Sequence, residues 1–342
     1  MNKPIIGITM GDPAGIGPEV AAKALASADI YKISRPLIFG DAKIIADAAK
    51  IANIDFSINP VEKISAAKFT VGTIDVFDLK NVDLEKIEFG QISAMAGNAS
   101  FEAILKVIEL ALEKKLDATV TGPINKESIN LAGHHFPGHT EIYARYTNTQ
   151  DFAMLLIYEN LRVIHVSTHV PLKRACELVK KDRIVKVIQL LNNACIKFGI
   201  ESPRIGVAGL NPHASDGGLF GSEERDEILP AIKQAKASGF NVEGPVPPDI
   251  LFPMAHGGYF DGCVAMYHDQ GHIPFKLMGF DWDKEKQSMG SVRGVNITVG
   301  LPIIRTSVDH GTAFEIAGKG IANEESLIYA IEYAVKMVRS KN

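Results

Sequence analysis

The sequence predicts an α/β protein, and three observations carry that reading. Short apolar runs of strand length alternate with amphipathic stretches of helical period along the chain. Many of these runs end in breaks containing Gly, Pro or His, where an open α/β sheet presents its ligand-binding groups. The length, 342 residues, suits two domains or one large α/β unit. No repeat, low-complexity tract or linker-like stretch divides the chain, so a two-domain arrangement requires it to cross between domains more than once.

The elements follow in order. Pro4 to Met10 reads as a buried strand, and the loop Gly11–Gly17 leads into a helix from Pro18-Glu19 to about Ala26. Proline in the first turn followed by an acid is a helix start signal. The loop matches neither G-x-G-x-x-G nor a P-loop, and by itself it reads as a tight turn. Pro36–Phe39 is a strand and Ala42–Ala52 a helix; within the mixed stretch 53–95, Thr73–Phe77 is a strand. Phe101, Ile104, Leu105, Ile108, Leu112 and Leu116 mark an amphipathic helix. Asp117–Thr121 is a strand followed by Gly122-Pro123-Ile124-Asn125-Lys126-Glu127, in which Lys126 is either an anion-neutralising group or a solvated charge at a helix start. Pro137-Gly138 forces a turn, so His139 and Thr140 stand at a helix N-terminus, where Thr140 is either a binding group or a cap. Phe152–Tyr158 and Arg162–Val166 read as paired strands, Arg183–Phe198 as a helix, Arg204–Leu210 as a strand, and Glu223–Glu227 as an acidic helix start. Asn241–Pro248 is extended, Asp249 is a base, a ligand orienter or a helix cap, and Cys263–Tyr267 is a strand. The helix Glu324–Val338 closes the fold.

Bulk properties exclude some functions. A net charge of −4 provides no global basic field for nucleic acid. Cys176, Cys195 and Cys263 have no CxxC spacing and no disulfide framework. Neither a signal-peptide core nor a run of transmembrane length is present, so the expected location is the cytoplasm, with no membrane partner.

Chemistry concentrates between Cys263 and Gly320. His169, His213 and His268 share one context, each at or just after the end of an apolar strand and before a break. Three neutral imidazoles on one rim suit Zn²⁺ or Co²⁺ with an open coordination position, whereas Mg²⁺ prefers carboxylates. The bland alternative is three hydrogen-bonded strand-end histidines. Lys276 in the same cleft would bind an anion or relay a proton, and Arg305 suits a carboxylate or phosphate.

Two end motifs introduce a resemblance. The start Gly11-Asp12-Pro13-Ala14-Gly15-Ile16-Gly17-Pro18-Glu19-Val20 resembles the GDGIGPEV of isocitrate and isopropylmalate dehydrogenases. The stretch from His310-Gly311-Thr312-Ala313 to Gly320 resembles their HGSAPDIAGKG loop on the adenine side of NAD. The metal ligands of those enzymes are aspartates, a pattern from which this chain departs. The closer resemblance, over essentially the whole chain, is to the 4-hydroxythreonine-4-phosphate dehydrogenase family. It rests on MGDPAGIGPE, TGPINKE, GHTE, THVPL, NPHA, YHDQGHIPFK, GVNIT and GLPIIRTSVDHGTA in that order.

The resemblance implies two α/β/α lobes, isocitrate/isopropylmalate dehydrogenase-like, with the active site in the cleft between them. The first lobe is taken as 1–130 plus 305–342 and the second as 131–304. It implies one divalent metal per site (zinc, cobalt, magnesium or manganese) on His169, His213 and His268. Substrate contacts are implied from His139, Thr140, Lys276, Asn296 and Arg305, with Lys276 and Asp249 as catalytic candidates. NAD is the implied cofactor, on His310, Gly311, Thr312 and Ala313, and a homodimer with the metal site at its interface is the implied assembly. The implied reaction oxidises and decarboxylates a 4-phosphorylated 3-hydroxy acid. Its substrate is 4-hydroxythreonine 4-phosphate or, in a sister branch, 4-phospho-D-threonate or D-erythronate. Ser167-Thr168-His169, Gly217–Gly221 and His272-Ile273-Pro274 lean toward the sister branch. The segment Leu277–Gly294, with Trp282, Lys284, Lys286 and Arg293, is longer than the family pattern and reads as a surface loop or a lid. Two other classes remain alternatives: a phosphate acyltransferase-like enzyme and a non-catalytic metal-containing binding protein.

Overall fold

A computed structural model describes residues 3–283 and 288–340. Its strands are β1 Ile5–Thr9, β2 Arg35–Gly40, β3 Ser57–Val61, β4 Thr73–Asp78, β5 Ala118–Thr121, β6 Ala153–Tyr158, β7 Leu161–His165, β8 Ile205–Ala208, β9 Val242–Val246, β10 Gly262–Ala265, β11 Phe280–Asp283, β12 Ser288–Val292, β13 Val295–Val299 and β14 Arg305–Val308. Twelve of them form one sheet, in the order β3-β4-β2-β1-β5-β14-β13-β6-β7-β10-β8-β9. The six strands from β3 to β14 are parallel to their neighbours, as are the four from β7 to β9. Between these blocks β13 is antiparallel to β14 and to β6, and β6 is antiparallel to β7.

Parallel strands need crossover helices, and these cover both faces. One face carries a single continuous core. It joins Ile8, Val120, Ile297, Ile164 and Val264 to the helices Gly17–Ala26, Lys181–Lys197 and Glu325–Arg339. The opposite face carries two separate cores. Leu37, Phe39, Ile104 and Tyr143 form one, under the helices Ala94–Leu112 and His139–Tyr146. Leu156, Val163, Phe252 and Phe275 form the other, under the helices Pro248–His256 and His268–Gly279. The gap between these two cores is the cleft that the site occupies.

The elements depart from the sequence reading in physically instructive places. The edge strand β3 was hidden in the mixed stretch, and it contains Pro60, which the ladder tolerates only at an edge or bulge. The helix expected from Phe101 begins at Ala94, with the Ser93 hydroxyl accepting from the Ala96 N–H. Its first turns are small residues without apolar period, because Gly97 lies against the Ser128 backbone. Leu116 lies beyond the helix and packs toward Gly7. Asp249 does not cap its helix. Pro247 holds the cap position, and Asp249 is an exposed first-turn residue. Within Leu277–Gly294, β11 and β12 pair as an antiparallel ribbon apart from the main sheet, while Lys284 and Lys286 lie outside the described residues. No helix among the described residues is long and apolar enough to cross a membrane.

Candidate active site

Strand register builds the floor of the cleft. Asn296 stands opposite Ser307, and Arg305 opposite Thr119. Alternate residues share a face, so Thr119 and Thr121 of β5, Arg305 and Ser307 of β14, and Asn296 and Thr298 of β13 all face the cleft. The intervening Ala118, Val120, Thr306, Val308, Ile297 and Val299 turn to the other face, where most join the continuous core. The Thr306 hydroxyl donates to the Ala330 carbonyl there.

Arg305 lies in this polar row, only 2% exposed. Its two terminal nitrogens donate to the Thr298 hydroxyl at 2.9 Å and the Thr121 hydroxyl at 2.7 Å. The guanidinium carbon sits 5.6 Å from the centre of the Tyr143 ring. Nε is enclosed and has no partner. Burial pulls this guanidinium down to about 10, against the weaker opposing pull of Tyr143 and Glu141. A buried cation held only by neutral hydroxyls is costly unless an anion completes it.

The helix His139–Tyr146 brings two more groups to the same place. The Thr140 hydroxyl lies 3.4 Å from that of Thr298, inside the helix rather than at its cap, which Gly138 occupies. His139 Nε2 is enclosed without a partner, and burial, with Arg305 and Lys126 adding to it, holds the imidazole well below its usual range. Lys126 heads the helix Lys126–Leu131, capped by Asn125, and its stem passes near Gly138. Lys126 and Arg305 therefore bring positive charge to a neutral His139 imidazole, with Glu141 the acid that acts on Arg305 from the same helix.

On the other wall stand the histidines. β7, β10 and β8 are adjacent and parallel, so their carboxyl ends share one rim. The His169 and His268 rings come together there, with centres 5.6 Å apart. His268 Nδ1 contacts the Asp269 carboxylate at 2.6 Å, leaving Nε2 for a ligand, and its ring stacks on His272 at 3.7 Å. Burial pushes His169 below its usual value, and Lys126 and His268 push it the same way. A groove of about 400 Å³ opens beside the pair, lined by Val170, Leu172 and Tyr267.

His213 is not brought to this pair within the chain. β8 is followed by a turn whose Leu210 and Asn211 N–H groups both donate to Glu224 Oε1 at 2.7 Å. The chain then runs left-handed from His213 to Gly217, with φ between 44° and 72°, and carries an exposed His213 beside Phe220. Left-handed backbone costs roughly 1–2 kcal/mol per non-glycine residue, which indicates a turn fixed by its surroundings. Among the described residues, no three His, Cys, Asp or Glu side chains of one chain are placed to hold a metal ion.

The two end motifs meet. The Ile16 N–H donates to the Thr312 carbonyl at 3.0 Å, and a side chain on Gly15 would collide with Thr312. Glu19, 1% exposed, accepts from the Gly318 N–H at 2.6 Å and the Gly320 N–H at 2.8 Å. His310 Nδ1 lies 2.9 Å from the Gly311 carbonyl oxygen, its Nε2 is enclosed without a partner, and the space around Gly311 is open.

Lys276 lies in the last turn of the helix His268–Gly279, which crosses β7 and β6 from His268 toward Gly294. Asn296 Nδ2 reaches Met154 Sδ at 3.0 Å, and its Oδ1 is enclosed and unpartnered. Asp249 is exposed in the first turn of the helix Pro248–His256.

Sequence reasoning missed His165, His272, Gln270, Glu19, Glu224 and Asp309 as site residues. The buried Gln270 ties two strand ends, donating to the Gly209 carbonyl and accepting from the Met266 N–H. The polar alternation of Ala118–Thr121 and Val295–Val299 was the available signal for the floor, whereas Arg305-Thr306-Ser307 is polar throughout and showed none. The buried acids carried no such local sign.

The model of the family described as pyridoxal phosphate biosynthetic protein PdxA matches residues 32–334. A protein of Oceanobacillus iheyensis provisionally named D-threonate 4-phosphate dehydrogenase is 49% identical, covering 99% of each chain. The crystal structure of a 4-hydroxythreonine-4-phosphate dehydrogenase from Klebsiella pneumoniae is 42% identical, with a TM-score of 0.86 and 98% of each chain covered. One from Burkholderia phymatum is 45% identical, with a TM-score of 0.83, covering 98% of this chain and 99% of its own. The chain belongs to the PdxA family, the family of the 4-hydroxythreonine-4-phosphate dehydrogenases.

Proposed function

We propose that this protein is a metal- and NAD-dependent dehydrogenase that oxidises and decarboxylates a 4-phosphorylated 3-hydroxy acid. The observation that carries this is the pair of enclosed, unpartnered nitrogens, Arg305 Nε and His139 Nε2, beside Lys126 and the Thr140 hydroxyl. Buried polar nitrogens without partners are rare and costly, and a phosphate supplies acceptor oxygens for Arg305 Nε and for the Nε2-protonated tautomer of His139, with negative charge to match Arg305 and Lys126. The reading favours 4-phospho-D-threonate or D-erythronate, giving dihydroxyacetone phosphate, over 4-hydroxythreonine 4-phosphate, giving 3-amino-2-oxopropyl phosphate. Relatives 44–49% identical carry D-threonate 4-phosphate dehydrogenase names.

The residues fit a divalent ion in part. An imidazole centre lies about 3 Å from an ion that the ring ligates, so the His169–His268 separation of 5.6 Å accommodates a shared ion. The Asp269 contact fixes which nitrogen of His268 faces it. The third ligand, His213, is supplied by a second copy of the chain. The sequence around each histidine leaves large apolar side chains in solvent: Leu172, Phe220 and Ile273 are 60%, 49% and 65% exposed. Covering them together in a homodimer would complete the metal site at the interface.

A bound ion supplies positive charge beside the C3 oxygen, and NAD supplies the hydride acceptor. The chain's own residues do the rest. Arg305, His139, Thr140 and Lys126 hold the phosphate and so fix the distance to C3. Asn296 offers its unpartnered carbonyl oxygen to a substrate hydroxyl. Lys276 accepts the hydroxyl proton and later returns it to carbon. His310 to Ala313, held by Glu19 through the following glycines, receive the nucleotide.

The test follows NADH formation with 4-phospho-D-threonate and with 4-phosphohydroxythreonine, each with and without chelator. Chelator-sensitive reduction with the threonate preferred is the expected result. Preference for the amino acid reassigns the substrate. Inactivity with both returns the chain to an acyltransferase-like or binding role.

A further inference from the structure

Asp309 follows β14 directly and shares the cleft-facing side of that strand with Arg305 and Ser307. Its partner position on β13 is Gly294. The Asp309 N–H donates to the Ser326 hydroxyl at 3.1 Å, and that hydroxyl donates to the Gly294 carbonyl at 3.1 Å, which clamps the two strand ends together. Asp309 Oδ2 is enclosed and accepts no hydrogen bond.

Gly294 is the contact point between this carboxyl and the helix His268–Gly279. A Cβ on Gly294 would stand 2.7 Å from Phe275 Cζ and 3.4 Å from Asp309 Oδ2. Only glycine allows the helix to close to this distance, and the next residue of that helix is Lys276. The charges that pull on the carboxyl are Lys276 first and His268 second. The other titratable groups around it are His310, next in the chain, and Glu325, whose neighbour Ser326 is the clamp and whose carboxylate lies 4.0 Å from Arg293. Burial outweighs these opposing pulls and pushes Asp309 up to about 6. A carboxyl enclosed in the field of the proposed proton-carrying amine, with Oδ2 accepting no hydrogen bond, is given no structural task that explains its cost by the contacts among the described residues.

We infer that Asp309 is a positioning residue that acts through Lys276, facing the amine across Gly294 and serving as its counter-charge while it carries the substrate proton. This rests on the proposed function. In the oxidation the C3 hydroxyl O–H bond breaks and its proton passes to the Lys276 amine, while the electron pair of the C3–H bond leaves as hydride to NAD. The bond to the carboxylate then breaks, CO₂ departs and its bonding pair stays on carbon. The Lys276 ammonium returns its proton to that carbon. Asp309, ionised throughout, stabilises the ammonium between the two transfers and neither gains nor loses a proton over the cycle.

Asp309→Asn and Asp309→Glu test this in the full-length protein by two readouts. The first is kcat against pH with 4-phospho-D-threonate. The second needs no turnover: the rate at which an amine-selective acylating reagent labels Lys276, read by peptide mass spectrometry against exposed Lys233. Asp309→Asn is expected to lower kcat about 10²-fold with KM for the acid nearly constant, and to remove the acid limb near pH 6. Lys276 should label several-fold faster at fixed pH, and Asp309→Glu should restore part of both. An unchanged acid limb, or unchanged labelling, overturns the inference. If Asp309→Asn does not fold, labelling of the wild-type protein decides. A rise slower than that of Lys233 through pH 6 supports the pairing, and a parallel rise refutes it. Absence of NAD reduction by the wild-type protein would defeat the proposed function instead, and the labelling would still report on the pair.

Discussion

Glu19 offers the sharpest test of how the two ends of the chain make one site. Its carboxylate is buried and accepts two backbone N–H groups, from Gly318 at 2.6 Å and Gly320 at 2.8 Å. Hydrogen bonds to a charged acceptor contribute about 1.5–3 kcal/mol each. Glu19→Gln keeps one acceptor oxygen but turns an NH₂ toward the second amide, so two donors face each other. Loss of one bond with partial weakening of the other gives a cost of about 3 kcal/mol. Part of that appears as global stability and part as freedom of the Gly318–Gly320 turn, where both glycines are left-handed. Urea denaturation should show the lowered unfolding free energy. Steady-state kinetics should show KM for NAD raised at least tenfold, with KM for the phosphorylated acid within a factor of two. An unchanged KM for NAD beside a clear stability loss would show that this turn does not bear on the nucleotide. Unchanged stability would refute the hydrogen-bond argument itself.

Other expectations follow from the same geometry. Arg305→Lys removes the planar fork that spans Thr121 and Thr298, and should raise KM for the phosphorylated acid by about 10²-fold without altering KM for NAD; isothermal titration with the acid checks this, and unchanged affinity would remove Arg305 from the phosphate site. His213→Ala and His169→Ala should each abolish chelator-sensitive turnover, yet mixing the two variants should restore activity through mixed dimers with one intact site; no recovery on mixing would refute the shared site. Burial raises Asp12 from 3.8 to about 6, so the stability associated with its protonated form is complete below pH 3.8 and lost as the pH rises through about 6. Asp12→Asn should therefore gain on the wild-type protein by up to about 3 kcal/mol between pH 4 and pH 7, read by denaturant melts at both pH values, and a difference independent of pH would refute it.

Much of the fold was legible locally. The apolar runs of Ala153–Tyr158 and Leu161–His165, the Pro18-Glu19 helix start and the Pro137-Gly138 turn each act within a few residues, and each element formed where its signal stood. The short helix Ala28–Ile33 and the edge strand Ser57–Val61 escaped because neither carries a clear period. For the site, the residue types were readable and their company was not. His169 and His268 meet because β7 and β10 are neighbours, whereas His213, in the same kind of strand-end context, is carried away by the left-handed turn that Glu224 pins.

By itself the sequence determined the alternation of strand and helix, the polar groups at strand ends and the motifs that mark the family. Those properties arise from backbone stereochemistry and hydrophobic period over short windows. Tertiary structure alone decided which groups share a cleft. The register of β5, β14 and β13 set Thr121, Arg305 and Thr298 in contact across 184 residues of chain. The packing of the first helix against the last loop placed Glu19 under Gly318, 299 residues away. No local window contains such pairs. They form because burying both faces of one twelve-stranded sheet leaves a polar gap between the two cores of one face, and polar groups of distant segments such as Thr121, Thr298 and Arg305 collect there.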